Sequence, residues 1–168
     1  MTKSKPSNPN SATGNTAPCV PGSMPDAKKK AIVDKLKESG KADDIVKGIE
    51  DGDIKMFEMN DEVRKKYSVG EDTIALKVGE KIYIDPNASD AVAAVQTAHE
   101  GTHVLDKSEN ITNDDTIRRE MKAFNKEVEV WDALKEKDPT LSDSEEDLAS
   151  KLKKEGKLED AVRRAYGP

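Results

Sequence analysis

The stretch Ser89–Asp106, SDAVAAVQTAHEGTHVLD, contains both histidines of the chain within a run of small and apolar residues. Pro86, just before it, interrupts the preceding extended segment, so a helix is expected to begin near Ser89. On a helix, residues four apart lie on the same face one turn apart, so the imidazoles of His99 and His103 can reach one point. The stretch therefore predicts a central helix that carries two metal ligands.

Glu100 directly follows the first of these histidines and completes the pattern His-Glu-x-x-His. Tetrahedral zinc is commonly bound by imidazole nitrogens, and a glutamate at this position lies beside the metal without having to bind it. It can then take a proton from metal-bound water. The alternative is a surface helix with two solvated histidines. The pattern uses every histidine of the chain, so no other histidine competes for the metal.

A third ligand must come from another residue type, because a catalytic zinc site usually has three protein ligands and one open position. Glu120 lies beside an apolar stripe on the next predicted helix, where an inward-facing carboxylate needs a partner. Asp106 is one turn beyond His103, so it is better placed to hydrogen-bond to a histidine ligand than to bind the metal itself. The candidates that these arguments leave open are Asp106, Glu109, Asp114, Asp115, Glu120, Glu127 and, as a thiolate, Cys19.

The segment His99–His103, HEGTH, followed by EMKA at Glu120–Ala123, resembles the HExxH…ExxA signature of the gluzincin metallopeptidases. The resemblance covers about a quarter of the chain, from Tyr83 to Phe124. It implies a zincin fold in which Zn²⁺ is bound by His99, His103 and Glu120, with Glu100 as general base and acid. The short chain is similar to minimal gluzincins and to the compact peptidase domains of bacterial toxins, so delivery as a toxin is a further hypothesis.

One departure from this family concerns the group that stabilises the transition state. Larger gluzincins often use a downstream histidine or tyrosine, but no histidine remains here and the tyrosines are Tyr67, Tyr83 and Tyr166. Tyr83 is the candidate donor to the oxyanion, because the preferred register of its hairpin turns it away from the core and toward the active-site helix.

Residues outside the motif predict an α+β fold with a small sheet and several helices. Residues 1–24 are rich in Ser, Pro and Asn and are predicted to be a flexible leader, and residues 25–168 to be a single zincin-like domain. The run TIALKVGEKIYID predicts a hairpin around Gly79-Glu80. A three-residue loop is preferred over a two-residue loop, because it places five apolar residues on one face: Ile74, Leu76, Val78, Ile82 and Ile84.

Helical segments are predicted on both sides of this hairpin, each from its apolar spacing and its terminal residues. They cover Pro25 to Gly40, Ala42 to Ile49, Asn60 to Tyr67, about Ser89 to Asp106, Asn113 to Lys137, and a last stretch broken at Gly156. Asp53 to Met59 is predicted to be a short strand. Asn87 or Ser89 can cap the central helix.

Charge and hydropathy argue against some classes of binding partner. The formal net charge of −6 argues against nucleic-acid binding, which needs a basic surface. No apolar run approaches the roughly 20 residues of a membrane span, and the N-terminus lacks the apolar core of a secretory signal. The expected location is therefore the cytoplasm, or outside the cell by a route without a classical signal. The expected partner is a protein or peptide substrate, and the sequence does not indicate an oligomeric state.

Two further hypotheses concern regulation and the absence of activity. Cys19 could act as a zinc ligand from the leader and keep the enzyme inactive, against the alternative of a stray thiol. The chain could also be a zincin-scaffold binding module without peptidase activity, or a zinc hydrolase that acts on a non-peptide bond. Glu100 argues against the binding module, because a purely structural site would need no base beside the metal.

Overall fold

The computed structural model describes residues 23–168, and within them the chain forms seven helices and a three-stranded sheet, an α+β architecture. The elements in chain order are α1 (Asp26–Ser39), α2 (Asp43–Asp51), β1 (Lys55–Glu58), α3 (Asp61–Tyr67), β2 (Ala75–Val78), β3 (Lys81–Ile84), α4 (Asp90–Leu105), α5 (Asn113–Lys137), α6 (Ser144–Lys154) and α7 (Leu158–Tyr166). These bounds confirm the predicted helices and strands to within a few residues.

The sheet has the strand order β1-β3-β2, with β1 parallel to β3 and β2 antiparallel to β3. Both strand pairings are short, so the stability of the sheet depends on packing and not on its hydrogen bonds alone. Helix α4 packs against one face of the sheet and α3 against the other. The sheet is therefore buried on both sides.

The register of the hairpin differs from the preferred prediction. Val78 pairs with Lys81, so the loop has two residues, Gly79-Glu80, and Leu76 lies opposite Tyr83. Gly79 has a φ of 63°, the left-handed conformation that tight hairpin turns require and that glycine adopts without strain. The prediction was wrong because it assumed burial on one face, whereas both faces carry a cluster of apolar residues here.

Helix α4 lies at the centre of the molecule, between the sheet, α1 and α5. The Ser89 side chain accepts a hydrogen bond from the Val92 amide at 3.2 Å and so caps the helix, which decides between the two predicted caps. Gly101 lets α4 approach its neighbours closely, since a Cβ there would lie 3.0 Å from the Ile45 side chain. The small residues of this helix therefore allow tight packing around the two histidines.

Helix α5 packs along α4, and the two C-terminal helices, α6 and α7, pack against α5. A capping box lies at the N-terminus of α5, where the Thr112 hydroxyl accepts a hydrogen bond from the Asp115 amide at 3.1 Å. The apolar stripe predicted for α5 is confirmed, since its residues Val128 and Trp131 are buried. This arrangement puts the inward face of α5 next to the histidine-bearing face of α4.

The described part of the chain begins just before the first helix. Ser23 forms a β-bridge with Phe57, and Met24 is buried in the main core. Most of the predicted leader, including Cys19, lies outside the described residues. No helix among residues 23–168 is long and apolar enough to cross a membrane.

Candidate metal centre

Three side chains, two from α4 and one from α5, converge between these two helices. His99 Nε2 lies 3.5 Å from one carboxylate oxygen of Glu120, and His103 Nε2 lies 3.3 Å from the other. One ligand atom from each residue falls within 4.8 Å of the other two. Bonds of about 2.1 Å in a tetrahedral site put neighbouring ligand atoms roughly 3.4 Å apart. The triad therefore has the spacing that one divalent ion needs.

The chemistry of Glu120 also fits a metal ligand. Its Oε2 atom is buried and forms no well-aligned hydrogen bond among the described residues, since His99 Nε2 lies 3.5 Å away, at the outer limit of such a bond. A buried oxygen of this kind calls for an explanation such as a bound ion. A set of two imidazoles and one carboxylate is a donor set that zinc accepts in catalytic sites. The three residues could therefore hold a zinc ion, with no other protein ligand required.

Without a metal, His99 and Glu120 interact as charged partners. Burial acts to lower the pKa of His99, but hydrogen bonds with Glu120 and Glu127 outweigh burial and raise that pKa to about 10. Burial likewise acts to raise the pKa of Glu120, yet hydrogen bonds from His103 and His99 lower it to about 2. In the metal-free chain at neutral pH, His99 is therefore protonated and Glu120 is ionised.

Glu127, from the next turns of α5, orients the first histidine. Its Oε2 lies 2.5 Å from Nδ1 of His99, and both side chains are buried. An imidazole that donates Nδ1–H to a carboxylate presents Nε2 as the free ligand atom, and the carboxylate makes that nitrogen more basic. The role that sequence analysis gave to Asp106 therefore belongs to Glu127.

Glu127 is itself held by residues of two other helices. Gln96 Nε2 on α4 donates to Glu146 Oε1 at 2.7 Å and to Glu127 Oε1 at 3.4 Å. Glu146 on α6 is 2% exposed, and burial together with the nearby Glu127 raises its pKa to about 9. Sequence reasoning did not single out Gln96 or Glu146, and no local pattern marks them.

Glu100 is half-buried and lies on the same helix as both histidines. Burial raises its pKa, while the neighbouring His99 and His103 act in the opposite direction. It lines the same cleft as the three candidate ligands. Glu100 is thus next to the metal position but is not one of the ligand atoms that converge on it. This is the placement that a general base beside a metal requires.

The cleft has a volume of about 300 Å³ and runs between α4, α5, the edge strand β2 and the end of α7. Leu76 and Lys77 of β2 form one wall, and Arg119 and Tyr166 contribute from the helices. Burial, followed by the charges of Glu120, Glu100 and Glu127, raises the pKa of Tyr166. Its hydroxyl is therefore protonated at neutral pH and available as a donor.

Tyr83, the predicted donor, lies elsewhere. It is buried on the sheet face opposite α4, with its ring centroid 5.6 Å from that of Phe57 and 6.0 Å from that of Tyr67. It is not among the residues that line the cleft. Alternation along β3 is the reason: Ile82 and Ile84 face the core that contains α4, so Tyr83 between them faces α3. Tyr166, close to the C-terminus, is the tyrosine that the fold brings to the site.

The other candidate third ligands have different partners. Asp106 accepts a hydrogen bond from the Ser108 amide at 2.9 Å, Asp115 belongs to the capping box of α5, and Asp114 lies 3.2 Å from Arg163. Glu109 is exposed in the loop after α4. Among residues 23–168, the metal-ligating types converge as a group of three at His99, His103 and Glu120.

Comparison of the chain with models of protein families, with curated proteins and with solved structures gives no match to any of them.

Proposed function

We propose that the protein is a zinc-dependent endopeptidase of the gluzincin type, with a zincin-like arrangement of α4, α5 and the sheet. The observation that carries the proposal is the convergence of His99, His103 and Glu120 at distances of 3.3 and 3.5 Å, with Glu100 beside them. A site that only stabilised the fold would need no carboxylate such as Glu100 in the cleft beside the ligands.

When bound, zinc supplies Lewis-acid chemistry: it lowers the pKa of a water molecule toward neutrality and polarises the scissile carbonyl. The chain supplies the proton transfers. Glu100 takes the proton from the attacking water and later gives it to the leaving amine. Burial raises its pKa, which brings it closer to the working pH and so suits both steps. Glu127 keeps Nε2 of His99 directed at the metal by accepting the Nδ1 proton.

Tyr166 is proposed as the donor to the oxygen of the carbonyl in the transition state. It lines the cleft and is 42% exposed, so its hydroxyl can reach a substrate. A hydrogen bond that becomes stronger as negative charge develops on that oxygen lowers the barrier. The role assigned to Tyr83 from the sequence thus passes to Tyr166.

The substrate is proposed to bind in an extended conformation along β2. This strand is at the edge of the sheet, and within the described residues it pairs with β3 alone. Its residues Leu76 and Lys77 form a wall of the cleft. An extended peptide can add to such an edge through main-chain hydrogen bonds, which suits cleavage within a chain irrespective of its sequence.

The test combines metal analysis with proteolysis of an unfolded, casein-like protein. The wild-type chain should bind one zinc ion and cleave the protein, and Glu100→Gln should keep the zinc and lose at least about 10²-fold in rate. Glu109→Gln, a change at an exposed glutamate near the site, is the matched control and should cleave normally. Cleavage by Glu100→Gln at the wild-type rate would refute the mechanism. Zinc binding without cleavage by the wild type would favour a binding module or a different hydrolase.

A further inference from the structure

Two buried carboxyl groups lie side by side behind the metal centre. Glu127 is 4% exposed and Glu146 is 2% exposed. One amide, Gln96 Nε2, lies within hydrogen-bonding distance of both. Within residues 23–168, neither carboxyl forms an ion pair with a lysine or an arginine, and the only cationic partner is His99, which contacts Glu127. Two ionised carboxylates in such a place would repel each other, with the His99 imidazole on Glu127 as their one compensating charge among these residues.

The hydrogen bonds indicate which of the two carries a proton. Glu127 accepts from His99 through Oε2, so its ionised form is matched to a donor. Glu146 accepts from Gln96 through Oε1, but its Oε2 is buried with no partner among the described residues. A proton on this oxygen would turn it into a donor, and Glu127 is the adjacent acceptor, since the two carboxyl groups share the Gln96 amide and Glu127 raises the pKa of Glu146. Burial next to a negative charge favours the neutral acid.

We propose that Glu146 is a neutral carboxylic acid at neutral pH, that it donates a hydrogen bond to Glu127, and that it thereby acts as a positioning residue for the metal centre. The chain of contacts runs from Glu146 on α6 to Glu127 on α5 and from there to Nδ1 of His99 on α4. Helix α6 contributes no ligand, yet it fixes the orientation of the carboxylate that orients the first ligand. The positioning role rests on the proposed metal site, whereas the neutral state of Glu146 does not.

The first test measures the proton directly and needs no metal. Infrared spectroscopy of the full-length, metal-free chain at pH 7 should show the carbonyl stretch of a protonated carboxylic acid, and Glu146→Gln should remove that band. Ser150→Ala is the matched control, since Ser150 lies on the same helix and bonds Asp132 at 2.6 Å without touching the carboxyl pair. It should leave the band unchanged. A spectrum that does not differ between wild type and Glu146→Gln would overturn the proposal.

The second test measures zinc affinity by competition with a chelator. Glu146→Ala should weaken zinc binding by about tenfold or more, as is typical for the loss of a group behind a metal ligand. Glu146→Gln should restore affinity close to that of the wild type, because its neutral amide can still donate to Glu127 and accept from Gln96. Ser150→Ala should bind zinc as the wild type does.

Two results of this titration would overturn the positioning role: wild-type affinity in Glu146→Ala, or equal losses in Glu146→Gln and Glu146→Ala. The second would mean that the site requires an ionised Glu146. Should Glu146→Ala not fold, Glu146→Gln and the infrared band still decide the question. Absence of zinc binding by the wild type would refute the proposed function and with it the positioning role. The infrared result would still establish or exclude the neutral acid.

Discussion

Zinc binding should become tighter as pH rises, because the ion must displace a proton from His99. In the metal-free site the pKa of His99 is about 10, so at pH 7 the ring is almost entirely protonated. A histidine ligand has to be neutral to bind a metal. With a pKa near 10, each pH unit between 7 and 9 increases the neutral fraction about tenfold, so the association constant should rise about 100-fold. Deprotonation at pH 7 costs about 4 kcal/mol of the intrinsic binding energy.

Two measurements check this expectation. Competition with a chelator at pH 7, 8 and 9 gives the slope of affinity against pH. Calorimetry in buffers of different ionisation enthalpy at pH 7 should show release of about one proton for each zinc ion bound. Glu127→Gln removes one of the two hydrogen bonds that raise the pKa of His99, so it should lower that pKa. The variant should then release fewer protons than the wild type at pH 9, where the wild-type ring is still about nine-tenths protonated.

A matched control separates this effect from a general change in charge. Glu100→Gln removes a nearby carboxylate that forms no hydrogen bond with His99, so the slope should remain close to that of the wild type. Zinc affinity that is constant between pH 7 and 9, without proton release, would show that His99 is neutral in the metal-free chain. The proposed pairing of His99 with Glu120 and Glu127 would then be refuted.

Three further substitutions, two of them with a matched control variant, test the third ligand, the oxyanion donor and the helix packing. Glu120→Ala should lose most of the zinc measured by metal analysis, whereas Asp106→Ala should retain it, because Asp106 binds the Ser108 amide instead. Tyr166→Phe should lower kcat by about 10²–10³-fold with zinc content unchanged, and Tyr83→Phe should leave kcat unaltered; the reverse order would restore the prediction made from the sequence. Gly101→Val should lower the free energy of unfolding by about 2 kcal/mol in a denaturant titration, because a Cβ there meets a buried side chain at 3.0 Å. Unchanged stability would show that the neighbouring helix can move away.

The sequence alone predicted the helices and the centre of the site. His99 and His103 are four residues apart, and the geometry of a helix places any such pair on one face, whatever the rest of the fold does. Glu120 was one of several candidate ligands left open by the spacing, its place beside an apolar stripe allowed it to face inward, and the resemblance to the gluzincin signature singled it out; the structure brings it to both histidines. These features could be predicted because they depend on spacing within a single helix or between two consecutive ones.

Tertiary packing alone decided the surroundings of the triad. The register of the hairpin depended on a second apolar cluster around α3, and Tyr83 belongs to that cluster because α4 packs on the opposite face of the sheet, with Ile82 and Ile84. Tyr166 reaches the site only because α7 packs back along α5. Glu127 is 28 residues from His99, and Glu146 is 50 residues from Gln96. No local pattern encodes such contacts, since burial from both sides and the meeting of distant helices arise only when the whole chain is packed.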